Sequence, residues 1–201
     1  MNTAVWALEW RQAARRRRVI MLSAGVPLLL VLVVALGGAP GPHAALVYTV
    51  LFTFFGTFGA AIPWARDAER GLLHRLVLSG LPMTTIAAQR LVASALLDLL
   101  ELVPALLVIA AVYHVAAADA IRLFALVGAG LLAANALGML VAWVAGSLAE
   151  TALLAAVSAL LLLHAGGVFR TPPPGGALEA LQRAIPFHYM HEAIRAAVGA
   201  G

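Results

Sequence analysis

Residues 44–64 form a run of 21 without a single charged side chain, and that run constrains the chain more than any motif in it. A helix needs about 20 mostly apolar residues to cross about 30 Å of hydrocarbon. Residues 19–36, 123–145 and 151–169 are also free of charge. A fifth run, 91–113, is apolar apart from Ser94, Asp98 and Glu101. In lipid, backbone polar groups must be satisfied within the segment, which leaves helices for spans of this kind. The pattern predicts an all-α, polytopic transmembrane bundle of five spans. No stretch after residue 169 is long enough for a sixth.

Composition agrees. The chain of 201 residues is 63% hydrophobic and only 11% charged, against about 25% charged in a soluble domain. With no cysteine, disulfides and thiolate metal sites are excluded. The 13 basic residues are all arginine and outweigh 9 acids. Arginines beside apolar runs set topology, so this basicity does not point to a nucleic-acid partner. Small residues at 35–39 resemble a signal-peptide cleavage site. The preceding apolar core exceeds the usual 7–15 residues, and 19–36 is read as a span.

Arginine counting sets the expected orientation. Arg11, Arg15, Arg16, Arg17 and Arg18 precede the first span, and Arg66, Arg70, Arg75 and Arg90 lie between the second and third. The short loops 37–43 and 114–121 carry none. The positive-inside rule then predicts a cytoplasmic N-terminus and a cytoplasmic second loop, in a cell (plasma or inner) membrane. Loop 146–150 follows inside, and the tail from 170 falls outside despite Arg170, Arg183 and Arg195. No internal repeat stands out. The run 171–176, Thr-Pro-Pro-Pro-Gly-Gly, reads as a turn or short extended linker. The whole of 1–201 reads as one membrane domain.

Residues 3–18 read as a helix lying on the membrane surface. Trp6 and Trp10 are four apart and share a face, and tryptophan favours the interface. The arginine run meets anionic head groups, so membrane lipid is an expected partner.

Residues 66–82 are the most informative loop. Charges open it, Leu72, Leu73 and Leu76 form an apolar face at helical spacing, and Ser79-Gly80-Leu81-Pro82 stops it. A short amphipathic helix here is able to dock in a groove of a soluble partner. An ordinary solvated loop reads the same residues equally well.

Within the spans, Asp98 and Glu101 are three apart and share a helix face. Measured from Arg90 they lie about 12 Å and about 17 Å along the helix, near mid-bilayer. Acids at that depth face an interior, a partner or water. They read as the lining of a translocation path or a proton-sensitive pair, or as acids hydrogen-bonded to neighbouring helices, with Pro104 kinking the span and freeing a carbonyl. Thr49, Thr53 and Thr57, with Gly56 and Gly59, and the stripe Ala134, Gly138 and Ala142 beside Asn135, read as close helix packing. His188 and His191 with Glu192 do not make a His-Glu-x-x-His motif, and His43, His114 and His164 stand apart, so no metal site is expected.

Several stretches together resemble a known family. The order Glu69-Arg70-Gly71-Leu72, then Leu76, Ser79 and Pro82, is similar to the segment after the second span of ABC-2 type transporter permeases. Gly166-Gly167-Val168-Phe169, prolines, Leu178, Leu181, Ile185-Pro186-Phe187, Tyr189 and Glu192-Ala193-Ile194-Arg195 resemble that family's outer loop, whose short helices dip back into the membrane. The N-terminal helix fits the family's interfacial connecting helix. The resemblance implies an exporter permease working by alternating access. Glu69, Arg70, Gly71, Leu72, Leu73 and Leu76 would contact a separate ATP-binding subunit that carries ATP and magnesium. Two permease chains, alike or different, would pair with two ATP-binding chains.

Without lysine, the phosphate-binding motif Gly-x-x-x-x-Gly-Lys-Ser/Thr is absent, so this chain is expected to be no enzyme and to hold no cofactor itself. Family members usually add a sixth span after the outer loop. Here the expectation is a truncated chain, a differently arranged tail, or a helix supplied by a partner. Two alternatives remain from the sequence: a haem-exporter-type permease of cytochrome c maturation, or a non-ATP carrier or scaffold using Asp98 and Glu101.

Overall fold

The computed structural model describes residues 6–7, 10–11, 17–170 and 175–199. They are helical throughout, apart from turns and short connections, with no strand among them. The helices in chain order are α1 (Arg17–Leu36), α2 (Gly41–Glu69), α3 (Leu72–Leu78), α4 (Met83–Val112), α5 (Ala117–Val144), α6 (Leu148–Ala165), α7 (Ala177–Ala184) and α8 (Pro186–Gly199). Helices α2, α4, α5 and α6 are each long and apolar enough to cross a membrane. The apolar part of α1, Ile20–Leu36, is 17 residues, about 26 Å of helix and the lower end of what a span requires. The chain is thus a multi-pass helical membrane protein.

The long helices overrun their apolar runs. α4 starts at Met83, after Pro82 at its N-cap, eight residues before the apolar run 91–113 begins. α2 continues past Trp64 to Glu69. Nothing in the backbone stops a helix at the edge of the hydrocarbon; caps and turns do. The long helices α1, α2, α4, α5 and α6 alternate in direction, so α3 and the loop before α6 lie at one end of the bundle. The turns before α2 and α5 lie at the opposite end.

α2 is the central helix, packed on α4, α5, α6 and α8, while α1 lies outermost against α4. The stripes of small residues make the crossings. A Cβ on Gly138 would overlap the Thr57 carbonyl oxygen, and one on Gly56 would meet Ala134 and Leu131, so α2 and α5 touch backbone to backbone. Lipid is as apolar as leucine, so helices in it associate by close van der Waals contact, and small residues permit that contact. The Thr49, Thr53 and Thr57 hydroxyls each bond a carbonyl one turn back, at 2.7–2.8 Å, which satisfies them inside the bundle. The packing reading of both stripes is the structural one.

The two ends are filled differently. Toward the opposite end the core is made of large side chains, with Tyr48, Phe52, Leu106, Ile109 and Leu131 fully buried. α8 enters this core between α2 and α5 and adds Phe187, Met190 and Ile194, each at most 1% exposed. Gly130 makes room for Met190, and Gly41 for the end of α8 at Val198. At the α3 end the core is mostly alanine, with Ala60, Ala61, Ala65, Ala142 and Ala155 surrounding Trp64, Leu73 and Ile86.

Most of residues 3–18 lie outside the described residues, as do 171–174 of the proline-rich linker. Within the described part, Trp6 and Trp10 sit side by side with ring centroids 6.0 Å apart, as their spacing predicts.

Candidate functional site

The segment between α2 and α4 leaves the bundle and returns within a few turns. α2 ends because Gly71 takes a left-handed conformation (φ 68°), donating its N–H to the Ala68 carbonyl at 2.9 Å. A side chain there would find open space but not an accessible backbone angle. Gly80, also left-handed, closes α3 in the same way, with Leu81 N–H bonded to the Leu76 carbonyl. Between these two turns α3 makes two helical turns and lies against the alanine-rich core.

Its faces are divided sharply. Leu73 is 6% exposed and packs on the core of α2, α4, α5 and α6, with Leu76 partly buried beside it. The expected apolar face of Leu72, Leu73 and Leu76 therefore turns largely into this chain. The face turned away carries His74, Arg75, Val77 and Leu78, and Leu78 is 72% exposed. Ser79 and Gly80 continue that surface. Arg75 folds back on the carbonyls of Gly71 and Arg70, at 3.4 Å and 3.0 Å, stiffening the first turn.

Two polar ties fix the base of the segment. Arg90 of α4 donates to Asp67 of α2 at 2.5 Å, with side-chain exposures of 4% and 15%. The Arg90 guanidinium also lies 5.8 Å from the centroid of Trp64, one turn before Asp67. Glu69 accepts the Leu148 N–H at 2.7 Å, so the end of α2 caps the start of α6. A carboxylate at a helix N-terminus satisfies an orphan donor and meets the positive end of the helix dipole. Ser147 accepts the Glu150 N–H at 3.2 Å and completes that cap. In the sequence Arg90 counted only toward orientation and depth, and Asp67 and Trp64 carried no assigned role. The one available signal was an arginine directly before an apolar span.

The membrane acids separate in the structure. Asp98 is 8% exposed and accepts from Asn135 Nδ2 of α5 at 2.7 Å. Its carboxyl occupies the space left by the missing Cβ of Gly59 on α2. Asn135 also donates to its own Leu131 carbonyl at 2.9 Å. Glu101, half-buried one turn on, reaches Ser23 of α1. The pair thus serves two seams of the bundle, α4 with α2 and α5, and α4 with α1.

The histidines of the tail point to different neighbours. His191 Nδ1 is 2.9 Å from Thr49 Oγ1 of α2, and His188 Nδ1 is 2.8 Å from Gln182. Among the described residues no three His, Asp or Glu side chains converge as metal ligands do.

A bundle of long apolar helices, with a short amphipathic helix clasped at one end and a helical wedge at the other, defines a polytopic membrane protein. The chain belongs to the ABC-2 type transporter family, whose model matches residues 3–198. No curated protein and no solved structure matches it.

Proposed function

We propose that this chain is the permease subunit of an ATP-binding-cassette exporter, moving its substrate by alternating access driven by a separate ATP-binding subunit. Family membership supports the transporter reading. The observation that carries the coupling is the outward face of α3. A helix anchored by Leu73 presents Leu78, Val77, Arg75 and His74 to whatever lies beyond the bundle end. Apolar residues beside an arginine on a short anchored helix suit a partly apolar groove with an acidic edge.

In this reading the α3 end and the N-terminus are cytoplasmic, as the arginines there favour, and the membrane is the cell (inner) membrane. ATP and magnesium belong to the partner. A second permease chain, identical or not, completes the path. Glu69, Arg70, Gly71, Leu72, Leu73 and Leu76 shape and hold the coupling segment, while its contact surface centres on Leu78. Asp98 and Glu101 line the translocation path in this reading, Asp98 while joining α4 to α5 and Glu101 while reaching α1.

The test is affinity purification of the chain from membranes of its own host in mild detergent. An ATP-binding subunit and ATP hydrolysis should co-purify, and Leu78→Asp should release both while the chain stays in the membrane. Purified chain without any ATPase activity in its complex would contradict the proposal.

A further inference from the structure

A docked subunit moves the spans only if the docking helix does not flex by itself. α3 is seven residues long and lies between two glycine turns with positive φ, which alone would make it a hinged flap. The structure closes that flap at its root. Asp67 and Arg90 stand 23 residues apart in sequence, on either side of the α3 excursion, and meet in a nearly buried ion pair. Trp64 underlies the guanidinium, and it shares the alanine-rich core with Leu73, the anchor of α3.

An apolar pair would hold two helices as well as this ion pair. Burying charge carries a desolvation cost that Coulomb attraction recovers only with good geometry. What a buried pair adds is direction: its short, angular contact holds in one relative placement of α2 and α4 and is lost in others.

We propose that Asp67 and Arg90 are positioning residues that lock the roots of α2 and α4 together, so that displacement of α3 is transmitted to the spans as one rigid movement. The proposal rests on the coupling role of α3 given above. It concerns an ion pair inside this chain.

This chain has no cysteine of its own, so nitroxides on it sit only at introduced positions, and the labelled chain is assembled with its partners for the test. Nitroxide pairs at Ser79→Cys, at the end of α3 and off the Leu78 contact, with Trp143→Cys, and at Leu36→Cys with Ile121→Cys, report α3 and the opposite end of the bundle; all four positions are exposed. Distances are measured in host membranes with and without magnesium-ATP and vanadate. In the otherwise native chain both distances should change. With Arg90→Gln the α3 distance should still change, while the far-end change falls below half. Arg90→Lys, which keeps the charge pair, should restore most of it. Should Arg90→Gln fail to accumulate, Asp67→Asn carries the same expectation. A full far-end response in these uncharged variants would overturn the lock. An α3 distance indifferent to nucleotide in the native chain would instead overturn the coupling role, and this proposal with it.

Discussion

The two ends of this bundle solve one problem in different ways. At the opposite end, large side chains such as Tyr48, Phe52 and Leu106 make the core, and α8 adds Phe187, Met190 and Ile194 to it. At the α3 end, alanines let the helices close, and two directed contacts, Asp67–Arg90 and Glu69–Leu148, set their positions. Apolar filling is tolerant of small shifts, since dispersion has no preferred direction. Hydrogen bonds and ion pairs are few and angular, and they define discrete arrangements. The difference teaches where a mechanical input is best received: at the end whose geometry is specified by bonds rather than by bulk.

The comparison breaks first at the wedge. Phe187→Ala should destabilise the fold by about 2–4 kcal/mol, below the usual range for a buried aromatic in water, because lipid reduces the transfer part and leaves the cavity part. Unfolding in a detergent titration measures it. A loss under about 1 kcal/mol would mean that α8 is a lid on the bundle rather than part of its core.

Next come the two faces of α3. Leu73→Ala should cost about 2 kcal/mol, while Leu78→Ala should stay within about 0.5 kcal/mol yet weaken co-purification of the ATP-binding subunit. Equal stability losses would erase the distinction between anchor and contact surface. Gly71→Ala, confined to the turn, should cost about 1 kcal/mol by forcing a Cβ into the left-handed region. Thermal aggregation of the detergent-solubilised variant reads this directly.

The smallest effect lies in the tail. Glu179 accepts the Gly175 N–H and pairs with Arg183, which together hold its carboxyl below the ordinary glutamate range. A depressed carboxylate pKa stabilises at pH above the unfolded value, and that contribution is lost as pH falls through the folded value. Protease nicking near α7 should therefore rise below about pH 4, with the bundle unaffected.

Much of the architecture was legible because lipid imposes simple rules. Long apolar runs marked the helices able to span the membrane, and small-residue stripes marked the α2–α5 crossing. Gly71 and Gly80 were readable as punctuation. The orientation of α3 was not. Amphipathic spacing at Leu72, Leu73 and Leu76 says that a face is covered, but not whether this chain or another covers it. The tie from Glu69 to Leu148 joins residues 79 apart, and local pattern carries no information at that range. Asp98 and Glu101 share a helix face in sequence, yet their partners Asn135, Gly59 and Ser23 come from three different helices. Only the fold assigns those neighbours.

The central claim is that the outward face of α3 lies in the cytoplasm, where a motor subunit grips it. Leu78→Cys would carry the sole thiol in the chain, on a side chain 72% exposed. Treating intact cells with a membrane-impermeant maleimide should leave that thiol unlabelled, and permeabilising the cells in a detergent that strips off the partner subunit should make it react. Labelling in intact cells would place α3 on the outside and contradict the account.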